Sequence, residues 1–318
     1  MEHLLDPVVL FFALGLAAGL LKSELRIPEA LYETLSLYLL VAIGLKGGLQ
    51  LQKASALEAM GPISAALFLG LLIPVLAFIL LRCLGRFSVP DSAAIGAHYG
   101  SVSAVTFAVV LGTLQKAQIP YEGIVTVLMV MMEVPAILVG IFLSRWLGSG
   151  NRIHWPRLLH EVFLGKSIFL LMGAMLIGFL ASEQHAEPFR KVFIDPFKGV
   201  LGLFLLEMGL VTSRRLRDLK KVGLFLACFA VMMPLLSGML GAAAGVLCGL
   251  SLGGTIVLAT LAASSSYIAA PAAVRVAIPE ANPSFYLTAS LGVTFPFNLT
   301  LGIPLYTKFS QLLFYWLR

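Results

Sequence analysis

Residues 95–106 read Ile95-Gly96-Ala97-His98-Tyr99-Gly100-Ser101-Val102-Ser103-Ala104-Val105-Thr106, and residues 262–271 read Ala262-Ala263-Ser264-Ser265-Ser266-Tyr267-Ile268-Ala269-Ala270-Pro271. Both stretches sit inside long apolar runs. Both gather small hydroxyl residues, with glycine or proline beside them, near the middle of the run. A helix that unwinds at mid-membrane exposes backbone N–H and C=O groups, which is tolerated only against protein or a wet cavity. Interruptions at corresponding places in two halves of a chain point to a transporter's binding site. The competing explanation is close helix packing through Gly, Ala and Ser. The symmetric occurrence of the two stretches favours the breaks.

The chain around them is a membrane chain. Its 318 residues are 59% hydrophobic and 12% charged, with a mean hydropathy of +0.96. An ordinary soluble domain carries about 25% charged residues. This composition excludes a water-soluble enzyme, a disordered chain and a disulfide-stapled secreted domain. Cys83, Cys228 and Cys248 stand singly in apolar runs, and no CxxC is present. They are expected as small core residues. The start, Met1-Glu2-His3-Leu4-Leu5-Asp6, lacks the basic flank of a cleavable signal.

A spanning helix needs about 20 mostly apolar residues. Ten runs qualify, at about 6–22, 30–50, 58–82, 91–114, 121–147, 161–181, 195–213, 222–249, 253–275 and 284–316, the last with possible breaks at Pro296 or Pro304. With the N-terminus outside, the inner loops and flanks hold 14 basic residues, densest over Arg214–Lys221, against 8 outside. The positive-inside rule therefore sets both termini outside. The net charge of +6 then reports topology rather than a nucleic-acid partner.

The chain also matches itself. Leu40, Gly44 and Leu45 correspond to Leu205, Gly209 and Leu210 at an offset of 165. Ile119-Pro120 corresponds to Ile278-Pro279 at 159, Pro135 to Pro296 at 161, and Gly140 to Gly302 at 162. The expected fold is an all-α polytopic membrane protein of ten transmembrane helices. It forms two five-helix repeats, residues 1–150 and 151–318, with broken helices in spans four and nine. An odd number of helices per repeat makes the second repeat inverted.

Helices that restart after the breaks present free N–H groups and positive dipole ends, which suit a small oxyanion. The candidate substrate residues are Gly100, Ser101, Val102, Ser103, Ser264, Ser265 and Ser266. A helix end contributes only about 0.3–2 kcal/mol, so hydrogen bonds, residual water and a companion cation are required. Carbonyls at half-helix C-termini suit sodium. Cation-binding or site-lining candidates are His98, Thr106, Glu133, Tyr267, Thr294 and Asn298.

Several of these have plainer readings. Glu133 can ligand a cation, carry a proton, pair with His98, or be a buried carboxyl satisfied by a neighbouring helix. Thr294, Asn298 and Thr300 line the site or hydrogen-bond between helices. Glu207 is a further intramembrane carboxyl. Lys46 reads as a residue snorkelling at a helix end, and Phe314-Tyr315-Trp316 as an interfacial anchor. No nucleophile–base pair, metal cluster or Walker loop is visible, which points away from an enzyme.

At these residues the chain resembles the cyanobacterial sodium-dependent bicarbonate transporters of the SbtA type, through nearly its whole length. The resemblance is carried by Ile27-Pro28-Glu29, Ile43-Gly44-Leu45, Gly47-Gly48, Gly100-Ser101 and Ile119-Pro120-Tyr121-Glu122. It is most specific at Ala262-Ala263-Ser264-Ser265-Ser266 and Ile278-Pro279-Glu280-Ala281-Asn282-Pro283-Ser284. It implies a gate domain (spans 1, 2, 6 and 7), a core domain (3–5 and 8–10), a homotrimer, an elevator-like movement and sodium-coupled bicarbonate import across the inner membrane. It adds no cofactor. Two departures accompany it: the family pattern has an acidic residue where this chain has Tyr267, and favours Asp where it has Glu133. The short loop at about 145–160 lacks the long insertion of some relatives, so contact with a PII-like regulator through it does not carry over. Two alternatives stay open: a monocarboxylate or other oxyanion carried with protons or sodium, and a non-transporting anion sensor.

Overall fold

A computed structural model describes residues 5–52, 56–148, 156, 160 and 163–317. The boundary expected at 150/151, and the loop residues Lys53, Arg152, Arg157 and Arg318, lie outside the described residues. All regular structure among the described residues is helical. In order these are α1 (Pro7–Leu20), α2 (Glu29–Leu51), α3 (Ala56–Cys83), α4 (Val89–Gly100), α5 (Ala104–Lys116), α6 (Val125–Leu147), α7 (Lys166–Leu180), α8 (Glu183–Phe189), α9 (Phe197–Leu247), α10 (Leu252–Ala262), α11 (Ala269–Ala277), α12 (Pro283–Leu287), α13 (Phe295–Phe297) and α14 (Ile303–Leu317). Among the described residues, five segments are long and apolar enough to cross a membrane: Glu29–Leu51, Glu58–Cys83, Val89–Lys116, Val125–Leu147 and Val222–Leu247.

Short polar side chains start several of these helices. Asp6 caps α1 by accepting from the Val8 N–H at 3.0 Å, with Pro7 preset for the first turn. Ser88 caps α4, accepting from the Asp91 N–H at 3.1 Å while donating to the Asp91 carboxylate at 2.6 Å. Ser251 caps α10 through the Gly254 N–H at 3.1 Å. The loops leading to the last helix of each half clamp these starts. The Glu122 carboxylate accepts from the Ser251 N–H at 2.5 Å and its hydroxyl at 3.0 Å, and Asp91 accepts from the Asn282 N–H at 2.7 Å.

Spans four and nine are broken as the sequence predicts: α4 and α5 are separated at 101–103, and α10 and α11 at 263–268. Two expectations are corrected. Spans seven and eight are two helices, as expected, but the basic stretch between them is helical rather than a loop, and they meet at a kink at Gly223 (φ 82°, ψ 160°); α9 denotes the two together. The chain also does not break at Pro296 or Pro304. Residues 283–317 stay helical, with π-turns at Thr288–Thr294 and Asn298–Gly302 on either side of α13. A proline removes one N–H and crowds the preceding turn, and wider turns relieve that crowding without ending the helix.

Glycine sets the closest crossings. α1 packs on the first part of α9, and α2 on α7. In the first pair a Cβ at Gly15 would strike the Leu206 carbonyl, and one at Gly209 the Phe12 carbonyl. In the second, Gly48 lies against the Met175 carbonyl and Gly178 against that of Leu45, while a Cβ at Gly44 would stand 2.6 Å from the Leu171 oxygen. The offset-matched pair Gly44 and Gly209 thus do the same work at two crossings. Approach this close maximises dispersion contact between helices, the main attraction available in lipid.

The remaining helices surround the breaks. α3 packs on α4 and α6, and α9 packs on α10, α14 and the π-turn at Thr288–Thr294. Large apolar side chains such as Leu14, Phe68, Phe169, Ile177 and Met232 face outward, as lipid contact requires. Cys83 and Cys228 are also on this outer face rather than in the core, and Cys248 is half-buried. Beside lipid a small apolar side chain loses nothing by exposure. Tyr315 and Trp316 project outward near the C-terminus, as an interfacial anchor does.

Candidate functional site

The two breaks meet. The Ser103 N–H donates to Ser264 Oγ at 2.9 Å, and the Ser266 N–H to the His98 carbonyl at 2.9 Å. Ser265 Oγ lies 3.2 Å from the His98 carbonyl and 2.8 Å from Ser290 Oγ. Each unwound strand therefore satisfies its neighbour's backbone, which answers the cost of breaking helices in an apolar medium.

The last serine of each break accepts from the first turn of the helix that restarts. Ser103 Oγ accepts from the Thr106 N–H at 3.1 Å, and Ser266 Oγ from the Ala270 N–H at 3.2 Å. Both hydroxyls are buried, and each retains its own proton for donation. α5 and α11 thus begin at the breaks, with their first-turn N–H groups and positive dipole ends directed there.

A cavity of about 10 Å³ opens at this point, lined by Val102, Ser103, Glu133, Ser266, Tyr267, and by Leu40, Ser167 and Leu171 of α2 and α7. That is room for about one water. Tyr267 stacks edge-on against Phe295, with centroids 5.2 Å apart. Its hydroxyl approaches Ser103 without a hydrogen bond of ordinary geometry.

The predicted residues divide into four groups. Val102, Ser103, Glu133, Ser266 and Tyr267 line the cavity. Ser264, Ser265, Thr106, Thr294 and Asn298 stand behind it and hold the breaks in place. Asn298 Nδ2 donates to the Ala263 carbonyl at 2.9 Å, and its Oδ1 accepts from the Tyr306 hydroxyl at 2.7 Å. Thr294 donates to the Ala230 carbonyl at 2.6 Å and accepts from the Tyr99 hydroxyl at 2.7 Å. Gly100 is a packing residue: a Cβ there would stand 2.5 Å from Pro74 Cδ and 2.8 Å from the Ala136 Cβ.

His98 and Ser101 point elsewhere. His98 Nδ1 bonds the Ala94 carbonyl at 2.7 Å, and its ring stacks on Tyr286 at 4.4 Å. Among the described residues no hydrogen bond or ion pair joins it to Glu133. Ser101 Oγ is buried beside the break without a partner, and so is His98 Nε2.

Sequence reasoning passed over Leu40, Ser167 and Leu171, the far wall of the cavity. Leu40 was visible only as an offset-matched residue. Nothing local marks the other two, because they reach the site through the α2–α7 crossing.

Comparison with known proteins adds one match. The family described as the Na+-dependent bicarbonate transporter superfamily matches residues 7–311. No curated protein matches the chain.

Proposed function

The chain belongs to the Na+-dependent bicarbonate transporter superfamily, and from that premise we propose that it is a secondary active transporter importing bicarbonate with sodium. The anion sits between the two breaks, held by the Ser103 and Ser266 hydroxyls and the first-turn N–H groups of α5 and α11. The observation that carries this reading is the convergence of both capping serines and Glu133 on one cavity.

That convergence also supports coupling. Removing even one ion from water costs several kcal/mol, as an order of magnitude. Two helix ends return about 2 kcal/mol each at best. A carboxylate on the same cavity repels the anion further. A cation that neutralises Glu133 removes the repulsion and adds attraction, so anion and cation bind better together than apart. Sodium takes oxygen ligands, which hydroxyls, carbonyls and a carboxylate supply. One sodium with one bicarbonate is electroneutral. A tenfold sodium gradient then supplies about 1.4 kcal/mol, enough for roughly tenfold accumulation.

An inverted pair of five-helix repeats and an elevator-like movement complete the proposal. The start of α1 shares a cavity with the end of α2, through Asp6, Val9, Lys46 and Gln50, so these helices run oppositely. α7 runs parallel to α2: Glu33 pairs with Lys166 at 3.2 Å near their starts, and Gly48 meets Met175 further along. α1 and α7, equivalent by the sequence offset, therefore run in opposite directions, as inversion requires. The α1, α2, α7 and first α9 segments form the wall against which the breaks would travel. The proposed assembly is a trimer in the inner membrane with both termini outside.

Uptake of labelled bicarbonate into proteoliposomes tests this. Accumulation is expected with an inward sodium gradient and not without one. Uptake that follows a proton gradient and ignores sodium moves the reading to a proton-coupled anion carrier, and saturable binding with no flux under any gradient makes the chain a sensor.

A further inference from the structure

A second, larger cavity lies on the face where α1 begins and where α2 and α5 end. Its volume is about 360 Å³. Its walls are mostly apolar, yet it gathers charged side chains in a chain that is otherwise poor in charge. Its described lining includes Lys46, Lys116 and Lys198 against Asp6 and Asp195. Asp6 is already paired, with Lys116 at 3.5 Å.

Lys46 is the unusual member. It lies five residues before the end of α2 and is half-buried. Its ammonium meets the Tyr121 hydroxyl at 3.2 Å, and it faces the cavity rather than snorkelling along lipid. A phenol oxygen neutralises no charge, so Lys46 brings positive potential into the cavity.

The cavity also leads somewhere. Ile43 lines it and also lines a narrow apolar cleft with Leu39, Leu40, Val105, Phe204 and Ile268. Leu40, Ala104 and Ile268 of that cleft line the small cavity at the breaks as well. The apolar cleft therefore shares walls with both the charged vestibule and the binding cavity. Three lysines against two aspartates leave the vestibule with a net positive charge; a cleft of low-dielectric walls with such a bias concentrates the opposite ion, and an apolar constriction holds back water and ions until it widens.

We propose that this cavity is an anion-collecting vestibule, in which Lys46 draws in and transiently pairs with a small monovalent oxyanion before it crosses the apolar cleft to the breaks. The direction of travel rests on the transport reading above. The electrostatic character of the vestibule does not, and it is tested without transport.

Gly112 lines the cavity, and a Cβ there would meet nothing within 4 Å, so a cysteine fits. Gly112→Cys is made in the full chain and purified in detergent. Labelling by 2-sulfonatoethyl methanethiosulfonate, an anion, is compared with labelling by its trimethylammonium counterpart, a cation. Intact mass separates the new thiol from Cys83, Cys228 and Cys248, whose labelling is measured in the parent chain. Relative to a free thiol, the anionic reagent is expected to gain about tenfold over the cationic one at low salt. The gain is expected to collapse at about 1 M salt and in Lys46→Gln, and to survive in Lys46→Arg. In proteoliposomes Lys46→Gln should raise the half-saturating bicarbonate concentration several-fold with little change in maximal rate. No anionic preference, a preference unchanged by Lys46→Gln, or no labelling by either reagent overturns the proposal. Anionic preference without any bicarbonate uptake leaves the vestibule standing and removes the bicarbonate reading alone.

Discussion

Ser103 and Ser264 are 161 residues apart in the chain, and the N–H of the first donates to the hydroxyl of the second at 2.9 Å. That separation falls within the offsets of 159 to 165 at which the two halves match each other. The breaks therefore depend on each other, because each supplies acceptors for the other's unwound backbone. Ser264→Ala leaves the buried Ser103 N–H without its acceptor, at a cost of about 1–3 kcal/mol. The thermal unfolding temperature in detergent is expected to fall. An unchanged temperature would mean that the two breaks do not hold each other.

Glu133 gives a test of coupling. Glu133→Gln keeps the shape and removes the charge at a cavity shared with Ser103 and Ser266. The sodium dependence of bicarbonate uptake is expected to flatten at least tenfold while the protein still purifies as a folded species. A variant with the wild-type sodium response would show that the coupling cation binds away from Glu133.

The helix crossings predict a contrast among glycines. Gly48→Ala pushes a methyl group into the Met175 carbonyl, and Gly209→Ala one into that of Phe12. Each is expected to destabilise the protein by about 1–3 kcal/mol, the usual cost of overpacking. Gly173, in the same membrane region, has open space around it, so Gly173→Ala should be neutral or slightly stabilising. Thermal unfolding of the three variants side by side measures this. Equal behaviour would mean that the crossings are not glycine-limited.

Gly223 predicts a backbone effect independent of contacts. Its φ of 82° with ψ of 160° is a conformation open essentially to glycine alone, and nothing lies near its missing Cβ. Gly223→Ala is expected to cost about 1–3 kcal/mol by strain alone, and to slow transport more than it weakens anion binding. Wild-type uptake at wild-type stability would remove Gly223 as a constrained joint.

Much of this molecule was legible in its sequence. The breaks announced themselves because serines and glycines interrupt runs that hydropathy would fill with leucine. The matched glycines Gly44 and Gly209 proved to sit at equivalent crossings. Other features were hidden for identifiable reasons. Hydropathy cuts the chain at the basic run 214–221, but Arg, Leu and Lys are good helix formers, so α9 continues across it. Within a break, Ser101 and Ser103 differ only by the turn of Val102, and local sequence does not reveal which hydroxyl reaches the cavity. His98 turns away because Tyr286, far along the chain, offers its ring a stacking partner. Leu171 reaches the site only through a crossing of distant helices.

The single turn at Gly223 has a mechanical consequence. Residues 197–222 pack against α1, and the helix after the turn packs against the elements that carry the second break. The later part, 224–247, is a rod about 36 Å long at 1.5 Å per residue. Pro234 lies within it, and Gly223 is the residue of 197–247 whose backbone angles leave the helical region, so a rotation about those two angles would be carried into the helix beyond. A rotation of only about 10° there sweeps the far end through roughly 6 Å, by the same helix dimensions. A fulcrum at that one glycine would turn a small local rotation into a displacement on the scale of a helical turn.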